Sequence, residues 1–408
     1  MKSQLGLYHK LKSFQKYKKV ITEFITNVIS FSLLIVVQQI IALPVISRFY
    51  EVDLFGQIVL TFGISNIITS MLGFSIGNAR LLDQKFYNYV YIKLFIISNI
   101  LALIIGFFVY TLIFTNNYIE AILYAFVCML GSIRYFFISE YRIKDEHKGI
   151  FKQNLYYFLG ILLGMGVFSF SHIWLIIFLT AEVLSVIATY VSLRKDGFFE
   201  SFKDKSYLKY TNTIQTMINN GLSYSLTQYD RFVIYPILGA TNVSLYYSTS
   251  ISARIGSLIM NPLSNFILGK LANKKENLKD RMVNMVILCS LIITFIYFSL
   301  TVFTTPILVN ILYPSFLSKI EDLIIPICLG TAFMGGVSVL KPIIMKYQGV
   351  EYYNKVFLVY GVILITLSIF SSINSGLIGV AIAQVISSFI LYIYLLLSLK
   401  LFRSKIII

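Results

Sequence analysis

The chain alternates long apolar runs with short polar gaps. Twelve runs can be placed, at 21–47, 54–77, 89–114, 118–139, 154–171, 173–193, 213–237, 243–269, 282–309, 323–346, 354–373 and 377–400. Each is close to the ~20 apolar residues that a helix needs to cross a hydrocarbon core about 30 Å thick. The pattern therefore predicts an all-α, polytopic membrane protein with about twelve transmembrane helices. The fifth run is the shortest, and only Ser171-His172 divides it from the sixth. The longest basic gap, Arg194 to Asn212, lies at the midpoint, where a join between two halves would sit. The expected organisation is a basic N-terminal segment (1–20), an N-lobe (21–193), a linker (194–212), a C-lobe (213–400) and a short tail (401–408).

Composition removes the soluble alternative. Hydrophobic residues make up 57% of the chain and charged residues 13%, against roughly 25% charged in a soluble domain. Mean hydropathy is +0.80. The formal charge is +16, which in a soluble protein would raise nucleic-acid binding. Here the excess is topological, and no nucleic-acid partner is expected. Of the 34 Lys and Arg, 28 fall in one alternating set of gaps, two (Arg48 and Lys319) in the other, and four inside runs. By the positive-inside rule the basic gaps and both termini face the cytoplasm, which predicts a multi-pass membrane protein with both ends inside. The basic start, with Lys10, Lys12, Lys16, Lys18 and Lys19 among apolar residues, reads as an amphipathic segment on anionic lipid. No small-residue cleavage site follows it, so the first run reads as a retained span. Cys128, Cys289 and Cys328 lie in apolar runs at no metal-ligand spacing.

The halves resemble each other. Glu51-Val52-Asp53-Leu54-Phe55-Gly56 is echoed by Asn242-Val243-Ser244-Leu245-Tyr246-Tyr247, and Ala181-Glu182-Val183-Leu184-Ser185 by Ala383-Gln384-Val385-Ile386-Ser387. With an even number of helices per half, the repeats would be parallel, giving two pseudo-symmetric six-helix lobes around a central cavity.

Enzyme signatures are absent: no His, Cys or carboxylate cluster has ligand spacing, and no phosphate-cradling glycine loop occurs. The chemistry rests on charges inside spans, each costing roughly 2.5–3.5 kcal/mol at the bilayer centre on the insertion scale and therefore expected to face a bundle interior or a wet cavity. Arg254, near mid-membrane, offers a planar fork suited to phosphate; the alternative is an ion pair with Asp230. Asp230 is either that structural partner or a coupling-ion or substrate residue. Arg231 adjoins it, and neighbours on a helix point about 100° apart, so only one of the two can face a cleft. Glu182 is a candidate proton or sodium site, or else is paired with Arg254 or protonated. Arg134 and Lys341 either line a cavity or snorkel to the cytoplasmic face. Arg80 is a cytoplasmic flank or an entrance-lining residue. No cofactor is expected, and uphill movement would draw on an H+ or Na+ gradient, the membrane potential or downstream consumption.

Three segments resemble the polysaccharide flippases of the multidrug/oligosaccharidyl-lipid/polysaccharide exporter superfamily. They are Ile41-Ala42-Leu43-Pro44-Val45-Ile46-Ser47-Arg48-Phe49 with Asp53-Leu54-Phe55-Gly56; Tyr229-Asp230-Arg231-Phe232-Val233-Ile234 with Leu238-Gly239-Ala240 and Val243-Ser244-Leu245-Tyr246; and Gly376-Leu377-Ile378-Gly379-Val380-Ala381-Ile382-Ala383. The family often has Gly where this chain has Ser244 and Leu245. The resemblance implies a cationic central cavity and a lipid-linked substrate: an oligosaccharide on undecaprenyl pyrophosphate, flipped to the outer leaflet for O-antigen, capsule or exopolysaccharide assembly. It also implies Arg254, Arg134 and Asp230 as cavity charges, and the polysaccharide polymerase and chain-length machinery as partners. The competing readings are a multidrug or cation antiporter of the same superfamily, a peptidoglycan-precursor flippase, which usually carries two more helices, and a polymerase, which needs a larger outer loop.

Overall fold

The computed structural model describes residues 28–30, 32–82, 87–115, 117–144, 146–204, 211–258, 260, 264 and 280–406. The basic segment 1–20 and most of the gap 270–281 lie outside them. The described chain is helical almost throughout. The helices are α1 (Val28–Ser47), α2 (Val52–Leu81), α3 (Tyr89–Ile113), α4 (Tyr118–Ile143), α5 (His147–Ser171) and α6 (Leu175–Lys195), then α7 (Thr211–Thr227), α8 (Tyr229–Leu238), α9 (Ala240–Thr249), α10 (Asp280–Leu312), α11 (Glu321–Tyr347) and α12 (Val350–Ile406).

Local signals set several boundaries. The Asn88 side chain accepts from the Val90 N–H at 2.9 Å and starts α3; Asn117 does the same for Glu120 at α4, each satisfying a donor the helix leaves open. At the break expected near Ser171-His172, His172 takes a left-handed conformation (φ 53°) and closes α5. Two predicted spans are not single helices. The expected 213–237 span is α7 and α8, offset at Gln228, and the expected 243–269 span begins earlier, at Ala240 after Gly239 (φ 85°).

α12 runs for 57 residues, which at about 1.5 Å per residue is more than twice a bilayer. It bends at Gly376 (φ 60°, ψ −142°), a conformation open essentially to glycine alone. Its arms lie antiparallel: Tyr352 bonds Tyr394 at 3.1 Å and Tyr360 bonds Ser388 at 3.5 Å. Both pairs are centred near residue 374, so the expected spans 354–373 and 377–400 are the two arms of this hairpin. α5 and α6 form another, with Thr180 Oγ1 donating to the Gly160 carbonyl and Ser185 Oγ to that of Gln153.

The chain divides into two compact units. One holds residues up to Ala42 and Ile64–Ser225; the other holds Leu43–Gly63 and Leu226 onward. The division falls inside α1, inside α2 and in the last turn of α7. It meets α1 at the end of a π-helical stretch, Val36–Ala42, and α2 carries a second such stretch at Ser70–Phe74.

The distribution of polarity is inverted relative to a water-soluble protein. Phe170, Leu112 and Phe303 are 89%, 81% and 75% exposed, while Arg80, Arg231 and Arg134 are 0%, 1% and 2% exposed. Apolar side chains face outward and arginines inward, as lipid solvent requires. Cys128 and Cys328 are buried, Cys289 is exposed, and all three are free.

Candidate functional site

The first unit contains two buried ion pairs. Arg134 on α4 and Glu182 on α6 meet in a fork: Nε donates to Oε2 at 2.8 Å and Nη2 to Oε1 at 3.1 Å. The rings of Tyr135 and Tyr157 lie 4.5 and 4.8 Å from the guanidinium. Gln38, in the π-helical stretch of α1, donates to the Tyr157 hydroxyl at 2.8 Å, and Gln153 donates to the Arg134 carbonyl at 3.0 Å. Arg134 is thus held rather than snorkelling. Glu182 is paired, and its partner is Arg134, not the Arg254 that the sequence offered. The two positions are 48 residues apart, and nothing along the chain links them. Arg134 Nη1 has no hydrogen-bond partner among the described residues.

The second pair joins Arg80 on α2 to Glu140 on α4, at 2.8 Å. Arg80 also donates to Ser139 Oγ at 3.0 Å. Phe136, Phe198, Phe202 and Tyr87 surround the guanidinium at 5.0 to 5.8 Å. Phe198 and Phe202 come from the segment after α6, which folds back so that Tyr89 donates its N–H to the Asp204 carbonyl at 2.8 Å. Tyr87, in the gap before α3, donates to Glu140 Oε1 at 2.9 Å. Burial, then that bond, pushes its phenol up to about 12, so it remains a donor at neutral pH. Counted along the chain as a gap cation, Arg80 is placed by the structure inside a helix, enclosed and paired. Glu140, its counterion, was not singled out from the sequence because it lies at the predicted edge of a gap.

The second unit holds the most exposed of these arginines. Arg254, in the helical stretch 251–258, has a side chain 15% exposed and reaches Asp230 Oδ2 at 3.2 Å. Its Nε donates to Ser250 Oγ at 3.1 Å. Arg231, next to Asp230, points elsewhere, as the 100° step requires, and donates from Nη1 to the Val59 carbonyl at 2.9 Å. Both guanidiniums lie on the ring of Tyr247, at 4.5 Å for Arg254 and 5.1 Å for Arg231. Aromatic faces attract cations, and one ring here is shared by two arginines, of which Asp230 pairs with Arg254 alone. Tyr247 carries no sequence signal that would separate it from the other 28 tyrosines. Lys341, toward the end of α11, is exposed, its ammonium 5.5 Å from the Tyr353 ring.

Among the described residues, each buried carboxylate of the helices (Glu140, Glu182, Asp230) therefore has an arginine partner, and Arg231 is left over. The spare hydrogen-bonding capacity of these ion-pairing groups is Arg134 Nη1, Arg231 Nε and Arg231 Nη2 against one carboxylate oxygen, Asp230 Oδ1, so among the described residues unused cationic donors outnumber unused anionic acceptors.

No family model matches the chain, and no curated protein does. Solved structures do. An inward-facing multidrug resistance MATE family transporter of the MOP superfamily superposes with a TM-score of 0.69 at 10% identity, over 93% of this chain and 99% of that one. The Lipid II flippase MurJ, in an inward closed conformation, gives 0.65 at 13% identity, over 93% and 86%. An outward-facing MATE transporter gives 0.60 at 10% identity, over 94% and 96%. The chain has the polytopic helical fold of these membrane transporters.

Proposed function

We propose that this chain is a flippase for lipid-linked oligosaccharides. It would move repeat units on undecaprenyl pyrophosphate across the bacterial plasma membrane, toward O-antigen, capsule or exopolysaccharide. The observation that carries this reading is the balance of buried charge. A cationic drug needs a free carboxylate or an open aromatic box, and the buried carboxylates here are already held by Arg80, Arg134 and Arg254. A diphosphate needs guanidinium donors in place of its hydration, and Arg231 and Arg254 offer them at a shared ring, that of Tyr247. The fold is compatible with either cargo, since its solved examples include multidrug transporters and a Lipid II flippase.

In this reading the diphosphate is taken up near Arg254 with Asp230 setting the guanidinium's orientation, and the polyprenyl tail stays in the bilayer. Arg134 supplies a second cationic position, Lys341 a third, and alternating access carries the headgroup across. Glu182 is the group whose protonation would release Arg134, which makes it the place for coupling to an H+ gradient.

The test is lipid extraction from a depletion strain, with the sidedness of lipid-linked glycan determined. Single repeat units accumulate on the cytoplasmic leaflet, and wild type but not Arg254→Ala relieves the block. Units accumulating on the outer leaflet would place the defect after flipping. An unchanged lipid-linked pool would remove the glycan substrate and leave the antiporter.

A further inference from the structure

Arg231 is the buried arginine that no carboxylate binds among the described residues. It is 1% exposed, and its Nε and Nη2 have no hydrogen-bond partner among those residues. Its one side-chain bond goes to a backbone oxygen inside a helix, the Val59 carbonyl of α2. Gly63 completes the seat, since a methyl group there would overlap the guanidinium. The missing side chain is what lets the arginine lie flat on α2.

The same stretch of α2 is seated on α8 and α9, all within one compact unit. Ser244 Oγ donates to the Val52 carbonyl at 2.6 Å, and Thr241 Oγ1 to Asp53 Oδ1 at 3.3 Å. The Phe55 ring sits among Tyr247, Tyr313 and Phe316 at 5.8 to 6.3 Å. These contacts join the two segments that echo each other in sequence. Tyr247 is the common element: its ring meets Phe55 and both guanidiniums.

A guanidinium presents a planar fork of donors that matches an oxyanion. A helix carbonyl already committed to its own ladder satisfies it poorly, and unused buried donors are costly. The ligand that would satisfy Arg231 is an anion, but the guanidinium lies against Val59 and Gly63 of α2.

We propose that Arg231 is a latch, for which residues 52–63 of α2 and a phosphate-type anion compete. An anion bound across Arg254 and Arg231 releases that half-helix from α9, and the seated half-helix excludes the anion. Each shifts the other only by its differential affinity for the two states, and the coupling is reciprocal. The inference rests on the flippase reading for the identity of the anion, a diphosphate. Val59, Gly63 and Tyr247 are then positioning residues for transport, without being its ligands.

The test uses the full chain with its three cysteines replaced by alanine and the pair Asp53→Cys, Thr241→Cys introduced. The rate of disulfide formation under mild oxidant reports the seated state. Inorganic pyrophosphate, against chloride at matched ionic strength, slows cross-linking by about fivefold or more, the lower end of common allosteric couplings. The response disappears in Arg231→Gln, and Gly63→Ala slows cross-linking with no anion present. Cross-linking indifferent to pyrophosphate in the otherwise unaltered chain overturns the proposal, whatever the variants do. So does an equal response in Arg231→Gln. If cross-linking ignores pyrophosphate while Arg254→Ala still abolishes glycan export, the latch is wrong and the flippase reading stands. If pyrophosphate controls cross-linking while the depletion strain shows an unchanged lipid-linked pool, the latch stands and the substrate is wrong.

Discussion

Replacing Glu182 with leucine leaves Arg134 buried without its counterion. The arginine is 2% exposed and loses both hydrogen bonds of the fork, at 2.8 and 3.1 Å. Its Nη1 is already without a partner among the described residues, so the guanidinium keeps only the faces of Tyr135 and Tyr157. Stranding one member of a buried pair costs about 3–5 kcal/mol, whereas replacing both members by apolar groups of similar volume is often neutral or better. Two variants separate these terms: Glu182→Leu alone, and Glu182→Leu combined with Arg134→Met. Thermal unfolding of the detergent-solubilised protein is the assay. At about 2–4 °C per kcal/mol for a unit of roughly 150–250 residues, the single variant melts about 6–20 °C lower, and the double variant returns to within a few degrees of wild type. Glycan export is then measured on the double variant, whose fold is sound. On the proposed function it stays low, because that reading counts Arg134 among the transport cations and gives Glu182 the coupling. A single variant within about 1 kcal/mol of wild type would refute the energetic reasoning. Full export from the double variant would reduce the pair to a structural tie.

Three further outcomes follow from the same geometry. Arg80→Lys fails to replace Arg80, because an ammonium cannot bond Ser139 and Glu140 together while filling the space among four aromatic rings; unfolding shows a loss of about 2 kcal/mol or more, as for other breaks in buried hydrogen-bonded charge networks. Gly376→Val strains the turn of α12 by about 1–3 kcal/mol, because a β-branched residue does not adopt φ 60°, ψ −142°; reduced yield of folded protein and a lower melting temperature are the readouts. Single cysteines in a cysteine-free chain report topology. A membrane-impermeant maleimide labels Lys319→Cys in intact spheroplasts and Lys195→Cys only after permeabilisation, and the reverse pattern would invert the charge-based orientation.

Much of the fold was legible because a membrane imposes one strong demand on sequence. Each crossing needs a long apolar run, and each gap on the positive side collects Lys and Arg. That placed α3 to within a residue, marked the turn at His172, and put two spans where α12 bends at Gly376. The pair Arg254–Asp230 was legible as an alternative to a ligand role, since the two residues lie on successive runs. The break at Gln228 was not. Thr227 and Gln228 carry no helix-ending signal as strong as Gly or Pro.

The site divides along the same line. The sequence placed Arg134, Glu182, Asp230, Arg231 and Arg254 within apolar runs and implied that they would turn inward, because hydrocarbon offers them no alternative. The tertiary structure decided who meets whom: Arg134 with Glu182, Arg80 with Glu140, Arg231 with a carbonyl of α2, and two guanidiniums on Tyr247. Lipid is as apolar as a leucine side chain, so the lipid-facing and core-facing sides of these helices are both hydrophobic. Periodicity then loses its power to say which face packs inward. The choice of partner passes to close approaches between helices tens of residues apart, and those exist only once the chain has folded.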